Sequence, residues 1–353
     1  METILVTGGA GFIGGCFVRN WIEQLPGQVV NLDLLTYAGN LDSLQCVRDR
    51  SSHVFVKGDI RNSQVVSEVL HKHRPNAIIH CAAESHVDRS IDAPAEFIST
   101  NILGTSVLLE CVLEYWHTLD AGQQQSFRFL HVSTDEVYGS LEPDCKAIEG
   151  DPYVPNSPYA ASKAAADHLV RAYHQTYGLP TLLTHSSNNY GPYQFPEKLI
   201  PLMILKALDG KPLPLYGDGQ QRRDWLHVED HGSALRTVLA EGVPGQTYHI
   251  GGNYEQTNLA VVEMICGIVD RLQADSSGAP ARERITFVED RPGHDRRYAL
   301  NCSKIQDQLG WTPIHTFESS LETTVRWYLK HADWAERIYN EQYRGERLGL
   351  SNE

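Results

Sequence analysis

A glycine-rich turn near the start of the chain strongly limits the folds that this sequence can adopt. The segment Thr7-Gly8-Gly9-Ala10-Gly11-Phe12-Ile13-Gly14 contains the spacing G-x-G-x-x-G at Gly9, Gly11 and Gly14, and it follows the apolar residues 4–6. Glycines at this spacing allow a tight turn, close approach of a pyrophosphate to a helix N-terminus, and close packing of that helix on the strand. The segment therefore predicts a strand, turn and helix that bind a dinucleotide.

An aspartate at the end of the next apolar segment indicates which dinucleotide is bound. Asp33 follows residues 29–32 and lies about 20 residues after Gly14, where a carboxylate can accept hydrogen bonds from the adenosine ribose hydroxyls. The same carboxylate would repel a 2′-phosphate. The sequence therefore favours NAD over NADP, against the alternative of a glycine-rich turn with no ligand.

Short apolar segments alternate with longer stretches of helical periodicity through the first half of the chain. This pattern predicts an α/β fold with a doubly wound parallel sheet of the Rossmann type. The predicted strands are residues 4–6, 29–32, 54–56, 77–79, 129–132 and 182–184. Because 353 residues exceed the size of most single cores, we also expect a smaller, discontinuous α/β substrate-binding domain. The expected boundaries are 1–187 for the dinucleotide-binding domain, with 224–255 returning to it, then 188–223 and 256–335 for the substrate domain, and 341–353 for a polar tail.

The composition argues against several classes of protein. With 30 basic and 44 acidic residues, the net charge of −14 is unsuited to a general binder of nucleic acid or of acidic membranes. No charged leader precedes the first strand, and no apolar run approaches the roughly 20 residues that a bilayer requires, so we expect a cytoplasmic protein with no membrane partner. Seven cysteines without a CxxC spacing predict neither a disulfide framework nor a metal site.

A possible catalytic group combines a tyrosine and a lysine with the end of a predicted strand. Tyr159 and Lys163 are four residues apart, so they share one face of a helix. A nearby ammonium and an oxidised nicotinamide would both favour the phenolate of Tyr159. Thr134, Asp135 and Glu136 follow the strand at 129–132, at the edge where ligands bind in a doubly wound sheet. The alternatives are a chance Tyr–Lys pair and a solvated acidic turn.

Several further motifs occur in order along the chain. They are Leu35-Thr36-Tyr37-Ala38-Gly39-Asn40, Ala82-Ala83-Glu84-Ser85-His86-Val87-Asp88, Asn188-Asn189-Tyr190-Gly191-Pro192, Pro196-Glu197-Lys198-Leu199-Ile200-Pro201, Arg223-Asp224-Trp225 and Asp290-Arg291-Pro292-Gly293-His294-Asp295-Arg296-Arg297-Tyr298. Together with the glycine-rich turn and the catalytic group, they make residues 3 to 330 resemble the nucleotide-sugar 4,6-dehydratases of the extended short-chain dehydrogenase/reductase family.

The resemblance implies a lyase with an internal redox cycle. Tyr159 acts as base while the sugar C4 hydroxyl is oxidised by hydride transfer to NAD, and Thr134 hydrogen-bonds the developing oxygen. Glu136 then removes the C5 proton, Asp135 protonates the C6 hydroxyl, and water is lost before the hydride returns to C6. Because neighbouring carboxylates repel each other, one pKa of the pair is expected to be raised.

The resemblance also assigns binding residues. The expected NAD-binding residues are Gly8, Gly11, Phe12, Ile13, Gly14, Asp33, Thr36, Asp59, Ile60, Ala82, Ala83, Ser85, Thr100, Tyr159, Lys163 and Asn189. The expected substrate-binding residues are Ser85, His86, Thr134, Asn188, Glu197, Lys198, Leu199, Pro214, Tyr216, Arg223, Asn258, Arg291, His294 and Tyr298.

The basic stretch Arg291–Arg297 is unusual in a chain of this charge, and it suggests an anionic ligand such as a pyrophosphate. The alternative is a basic loop paired with its own Asp290 and Asp295. The resemblance implies a thymidine diphosphate-linked glucose as the substrate. A UDP-, CDP- or GDP-linked sugar and a silent NAD-binding scaffold remain alternatives. The apolar run from Phe97 to Leu113 exceeds what one face against a sheet requires. The resemblance implies that this run and the helix of Tyr159 form a helix bundle between subunits, so we expect a homodimer.

Overall fold

A parallel sheet of seven strands lies at the centre of the computed structural model, which describes residues 2–273 and 279–341. Its strand order is β10-β6-β5-β4-β1-β2-β3, and all six pairings are parallel. The strands are β1 Thr3–Thr7, β2 Gln28–Asp33, β3 His53–Lys57, β4 Ala77–His80, β5 Arg128–Thr134, β6 Thr181–Ser186 and β10 Thr247–Ile250. The first six contain the six segments predicted from the sequence.

Side chains of the four strands β1, β2, β4 and β5 enter two separate cores, one on each face of the sheet. In β1, Ile4 and Val6 pack with α1 and α9, whereas Leu5 packs on the opposite face with α2 and α5. Helices therefore cover both faces, as the continuously apolar strands require. The helices are α1 Phe12–Gln24, α2 Ser63–His73, α3 Val87–Asp92, α4 Pro94–Phe97, α5 Thr105–His117, α6 Ala121–Ser126, α7 Pro158–Tyr177, α8 Leu199–Leu208, α9 Val228–Glu241, α10 Asn258–Leu272, α11 Ser303–Leu309, α12 Phe317–Lys330 and α13 Ala332–Glu341. A π-helical segment at Ile98–Gly104 connects α4 to α5, and 3₁₀ turns occur at Leu41–Leu44, Asp135–Tyr138 and Ala281–Arg284.

Two smaller sheets and a third core lie outside the seven-stranded sheet. One sheet has the order β11-β9-β7, and the other pairs β12 with β8. Their strands are β7 Asn188–Tyr190, β8 Leu213–Tyr216, β9 Arg222–His227, β11 Glu255–Thr257 and β12 Ile285–Val288. Side chains of α8, α10, α12 and α13 form the third core.

The segment 224–255, predicted to return to the large sheet, is divided between the two regions. β10 lies at the edge of the large sheet beside β6, and α9 packs against α1. β9 instead forms the central strand of the small sheet, where its six residues pair with β7 on one side and β11 on the other. The predicted polar tail lies outside the described residues except for Glu341, and the domain boundaries stay a prediction.

The strand order places a crevice at the carboxyl edge of the large sheet. The chain runs outward from β1 to β3 in one direction and from β4 to β6 in the other, so the order reverses between β1 and β4. Ligands bind at such a switch point in doubly wound sheets. The glycine-rich turn, Asp33 and Thr134 all lie at this edge, because each follows or ends a strand.

One helical segment has the length and composition of a membrane span. Pro94–His117 contains 24 residues, and 44% of its most apolar window is buried inside the protein. The sequence analysis expected no apolar run long enough to approach the thickness of a bilayer. By length and composition alone, this segment does not fit that expectation. The finding is weak evidence for a membrane span, because a core helix of a soluble protein passes the same test.

Candidate active site

The glycine-rich turn forms a cradle at the N-terminus of α1. Gly8 has a φ of +71°, and a Cβ there would approach the Ala82 backbone nitrogen to 2.6 Å. A Cβ at Gly14 would collide with the carbonyl oxygen of Gly8. No side chain caps the helix at Gly11, so the first-turn N–H groups can face an anion. Gly9 instead packs against the side chain of Asn31, so Gly8, which precedes the motif, supplies the cavity wall.

Asp33 is held at the end of β2 by the turn itself. Its Oδ2 accepts a hydrogen bond of 2.9 Å from the Ala10 backbone N–H, and its Oδ1 accepts one of 2.7 Å from Leu35. Each carboxylate oxygen has a second lone pair that can accept a ribose hydroxyl. Burial raises the pKa of Asp33, while the two backbone hydrogen bonds oppose that rise. The carboxylate is therefore oriented before any ligand binds.

A cavity of about 350 Å³ extends from this turn to the catalytic group. Every residue that the sequence analysis assigned to NAD lines it. Of the predicted substrate residues, Ser85, Thr134, Asn188, Glu197 and Lys198 also line it. The shape and the glycine cradle fit an extended dinucleotide whose pyrophosphate lies at α1.

The 3₁₀ turn after β5 places two buried carboxyl groups at the inner end of the cavity. The hydroxyl of Thr134 donates to Asp135 Oδ1 over 3.3 Å and accepts from the Glu136 backbone N–H over 3.3 Å. Asp135 Oδ2 and Glu136 Oε2 are buried and have no hydrogen-bond partner among the described residues. Buried polar atoms without partners are costly, so these two oxygens indicate a place for a polar ligand.

The surroundings of the two carboxyl groups favour different protonation states. Burial, together with the charge of Glu136, raises the pKa of Asp135 well above its usual range. Burial also raises the pKa of Glu136, but the charges of Arg291, Lys198 and Arg223 oppose the rise. Asp135 is thereby suited to act as an acid and Glu136 as a base.

Tyr159 and Lys163 extend from α7 toward the same turn. Burial, and then the charge of Glu136, raises the pKa of Tyr159, whereas a hydrogen bond with Thr134 lowers it. Lys163 Nζ donates to the Val132 carbonyl oxygen over 2.9 Å. The protein's own residues therefore do not favour the phenolate as the sequence analysis expected, because burial has the larger effect. The charge of an oxidised nicotinamide is the remaining part of that expectation.

Asp167 is a buried carboxylate close to Lys163, and the sequence analysis did not predict it. Asp167 lies one turn further along α7, and its two carboxylate oxygens are 3.3 Å from His131 Nε2 and 3.0 Å from His185 Nε2. Burial opposes ionisation of Asp167, but its hydrogen bonds with these histidines hold its pKa below the usual range. His131 Nε2 is also 3.2 Å from Lys163 Nζ. Burial lowers the pKa of Lys163 and Asp167 raises it, so the aspartate favours the cation. The i, i+4 spacing of Lys163 and Asp167 was the available signal.

The cavity wall opposite α7 carries a second group of charges. Lys198 Nζ donates to the Ser85 carbonyl oxygen over 2.7 Å. Glu197 accepts hydrogen bonds of 3.1 Å from both Tyr37 and Arg89. His86 caps α3, and burial lowers its pKa to about 3, so it is neutral near pH 7.

The remaining predicted substrate residues do not line the cavity. Arg291 donates to Asp88 over 2.7 Å, and Tyr216 donates to the other oxygen of Asp88 over 2.8 Å. The Arg223 guanidinium stacks on the Tyr298 ring at 4.4 Å. Leu199 begins α8, Pro214 lies in β8, and Asn258 begins α10.

The alternative of a basic loop paired with its own acids holds for only part of the stretch. His294 pairs with Asp290 at 2.6 Å, but Arg291 pairs with Asp88 from a distant segment. The charges of Arg291 and Arg223 act on Glu136, so these two guanidinium groups lie near the catalytic turn. The cluster therefore places positive charge beside the carboxyl groups, although Arg291 is already partnered.

Known proteins are similar to this chain in both sequence and fold. The family described as GDP-mannose 4,6 dehydratase matches residues 5–324. A dTDP-glucose 4,6-dehydratase of Xanthomonas campestris pv. campestris (strain B100) is 56% identical over 99% of this chain and 100% of that protein. One of Neisseria meningitidis serogroup B is 56% identical over 99% of both chains.

Solved structures agree with these relatives. The dTDP-glucose 4,6-dehydratase of Streptomyces venezuelae, crystallised with NAD, has a TM-score of 0.87 and 45% identity, covering 96% of this chain and 100% of that one. The enzyme of Bacillus anthracis, in complex with NAD, has a TM-score of 0.85 and 44% identity with the same coverage. The chain belongs to the nucleotide-sugar 4,6-dehydratase family, among the dTDP-glucose 4,6-dehydratases.

Proposed function

We propose that the protein converts dTDP-glucose to dTDP-4-keto-6-deoxyglucose, a hydro-lyase reaction that serves deoxysugar biosynthesis. The observation that carries the proposal is the pair of buried carboxyl groups, Asp135 and Glu136, each with an oxygen that has no partner among the residues the structure describes. They lie beside Tyr159 at the end of a cavity that fits a dinucleotide. Relatives that are 56% identical over nearly the full chain carry the name of this activity.

NAD is the cofactor, and it supplies the acceptor for the C4 hydride, which later returns to C6. The cradle of Gly8, Gly11 and Gly14 would hold its pyrophosphate, because the N-terminus of α1 faces that space. Asp33 would accept the adenosine ribose hydroxyls. The remaining NAD-binding residues proposed from the sequence line the same cavity.

The chain's own residues handle the protons. Tyr159 accepts the proton of the sugar C4 hydroxyl, and Thr134 donates to the developing carbonyl oxygen. The new ketone makes the C5 proton acidic, and Glu136 removes it. Asp135, kept protonated by burial and by its neighbour, gives its proton to the leaving C6 hydroxyl, and water is lost. Each hydride that leaves C4 returns to C6, so no external oxidant is needed.

Positive charge on the substrate side supports binding of a nucleotide diphosphate. Arg291 and Arg223 carry guanidinium groups that suit phosphate oxygens, and the pairing of Arg291 with Asp88 keeps it in place. Lys198 lies on the wall of the cavity. We assign the diphosphate to the arginines and the sugar to the end of the cavity next to Glu136.

A homodimer and a cytoplasmic location complete the proposal. The side chains of Ile98 and Leu103 are 50% and 57% exposed in the single chain, and they belong to an apolar segment that is only partly buried. A second copy that packs on this segment would bury them, as the predicted helix bundle requires. Such packing would also account for the apolar composition of Pro94–His117.

The test is incubation of purified protein with dTDP-glucose, and separately with UDP-, CDP- and GDP-linked sugars, without added cofactor. Mass spectrometry should show loss of one water from the thymidine sugar alone. Loss of water only from another sugar would keep the reaction and overturn the donor. No product from any of them, even with NAD supplied, would favour a silent scaffold.

A further inference from the structure

Three potential metal ligands meet at a place outside the cavity. His227, Glu229 and His315 each bring a ligand atom within 4.8 Å of the others. His227 ends β9, Glu229 lies in the first turn of α9, and His315 precedes α12. None of the three lines the active-site cavity. A metal ion coordinated by all three side chains would therefore link three elements of the fold.

The distance between two of the ligand atoms already suits a metal ion. His315 Nε2 and Glu229 Oε2 are 3.4 Å apart. Two ligands at about 2.0–2.1 Å from a tetrahedral zinc ion are separated by about 3.3 Å. The pair therefore needs little movement to coordinate one ion, which would replace the proton between these two atoms and release it to solvent.

His315 is also oriented as metal-binding histidines usually are. Its Nδ1 is 2.8 Å from Asp230 Oδ1, and its backbone N–H donates to Asp230 Oδ2 over 3.0 Å. A carboxylate that holds one ring nitrogen directs the other nitrogen toward a metal. Asp230 is buried, so this orientation is well supported by packing.

His227 provides the third donor and the independent sign of a missing ligand. Only 7% of this residue is exposed, and its Nδ1 is buried with no hydrogen-bond partner among the described residues. Its ring lies against that of His315, with the centroids 4.3 Å apart and an angle of 34° between the ring planes. A buried imidazole nitrogen without a partner is costly, and coordination of a metal ion through Nδ1 would satisfy it.

The charge of the cluster suits a divalent cation. Glu229 and Asp230 contribute two carboxylates, which together balance a charge of +2. Apart from the histidines, Arg19 is the basic side chain whose charge lowers the pKa of Glu229. Arg19 also donates a hydrogen bond of 2.8 Å to the Ser43 carbonyl oxygen. Two imidazoles and one carboxylate form a ligand set that zinc accepts, with a fourth position for water.

We propose that His227, Glu229 and His315 bind one divalent transition-metal ion of the zinc class, with Asp230 orienting His315. The ion links the end of β9 and the start of α9 to the segment before α12. Sequence analysis expected no metal because it looked for closely spaced ligands, whereas His315 lies 86 residues after Glu229. The site stabilises the fold and takes no part in the dehydration.

The test is metal binding by tag-free, full-length protein that has been stripped with a chelator. Titration with Zn²⁺ should bind one high-affinity equivalent per chain and raise the Tm, and Mg²⁺ should do neither. Co²⁺ should give the visible absorption bands of a tetrahedral site. Absence of a high-affinity equivalent would overturn the proposal.

Matched variants locate the ion. Glu229→Gln keeps the shape of a half-exposed side chain, and it should weaken Zn²⁺ binding at least tenfold and reduce the rise in Tm. His315→Gln should abolish both effects. The exposed His71→Gln is the control and should bind as the parent does. Should His315→Gln not fold, Glu229→Gln decides alone, and unchanged Zn²⁺ affinity in that variant would place the ion elsewhere and refute the proposal.

Discussion

The cofactor side and the substrate side of the cavity are built in different ways. On the cofactor side, backbone geometry shapes the site, since Gly8 has a positive φ and two backbone N–H groups hold Asp33 in place. On the substrate side, side chains from distant segments hold each other, as in Asp88 with Arg291, which are 203 residues apart. The difference explains why short motifs in the sequence describe the first side and not the second.

A change on the cofactor side should weaken only the binding of NAD, and a change on the substrate side should weaken only the binding of the nucleotide sugar. A change in the catalytic turn between them should affect neither binding step. The variants below test this separation.

Glu136→Gln should have the largest effect, because it removes the base for the C5 proton but keeps the size of the side chain. We expect product formation to fall by about 10³- to 10⁴-fold, the upper part of the range for general acid–base catalysis. Mass spectrometry of the product measures the loss. Glu142→Gln, at an exposed position, is the control, and normal turnover by Glu136→Gln would refute the role of this residue.

Asp33→Ala should disturb only the cofactor side. It removes the acceptor for the ribose hydroxyls and leaves the N–H groups of Ala10 and Leu35 without partners. The affinity for NAD should fall by at least about tenfold, which corresponds to about 1.4 kcal/mol. Binding of the nucleotide sugar at saturating NAD should stay within twofold of the parent, and an equal loss of both affinities would break the proposed separation.

Arg291→Lys should disturb only the substrate side. The charge remains, but the planar fork that can bind both Asp88 and a phosphate is lost. We expect the KM for dTDP-glucose to rise about tenfold while kcat and the NAD content of the purified protein stay close to those of the parent. A fall in NAD content of the same size would show that the two sides are not independent.

Asp167→Asn should have the smallest effect at neutral pH. The carboxylate raises the pKa of Lys163 against the effect of burial, so its removal lets Lys163 lose its proton at lower pH. The alkaline limb of the kcat profile should then move down by about one pH unit. The exposed Asp144→Asn is the control, and an unchanged pH profile together with reduced stability would leave Asp167 a purely structural role.

The parts of the molecule that could be predicted are those that local sequence determines. Six strands of the large sheet follow from apolar runs between helical stretches, and Thr134 could be placed at the crevice because it ends one of them. The position of β9 could not be predicted, because a short strand around Trp225 suits either sheet. The same applies to the pairing of Asp167 with His131 and His185, since nothing short of the folded sheet brings β5, β6 and α7 together.

The protonation of Tyr159 shows a second limit. A lysine four residues away suggests a lowered pKa, but burial outweighs it and raises the pKa. Spacing along a helix indicates which groups are neighbours, while the extent of desolvation depends on the whole fold.

The central claim is that one active site oxidises C4, eliminates water and reduces C6 with the same bound cofactor. The most direct measurement is conversion of dTDP-glucose that carries deuterium at C4, followed by mass spectrometry and NMR of the product. The account predicts loss of one water and deuterium at C6 of the 4-keto-6-deoxy sugar, without exchange into solvent. A dehydrated product whose C6 lacks the label, or a labelled substrate that is recovered unchanged while NAD is bound, would contradict it.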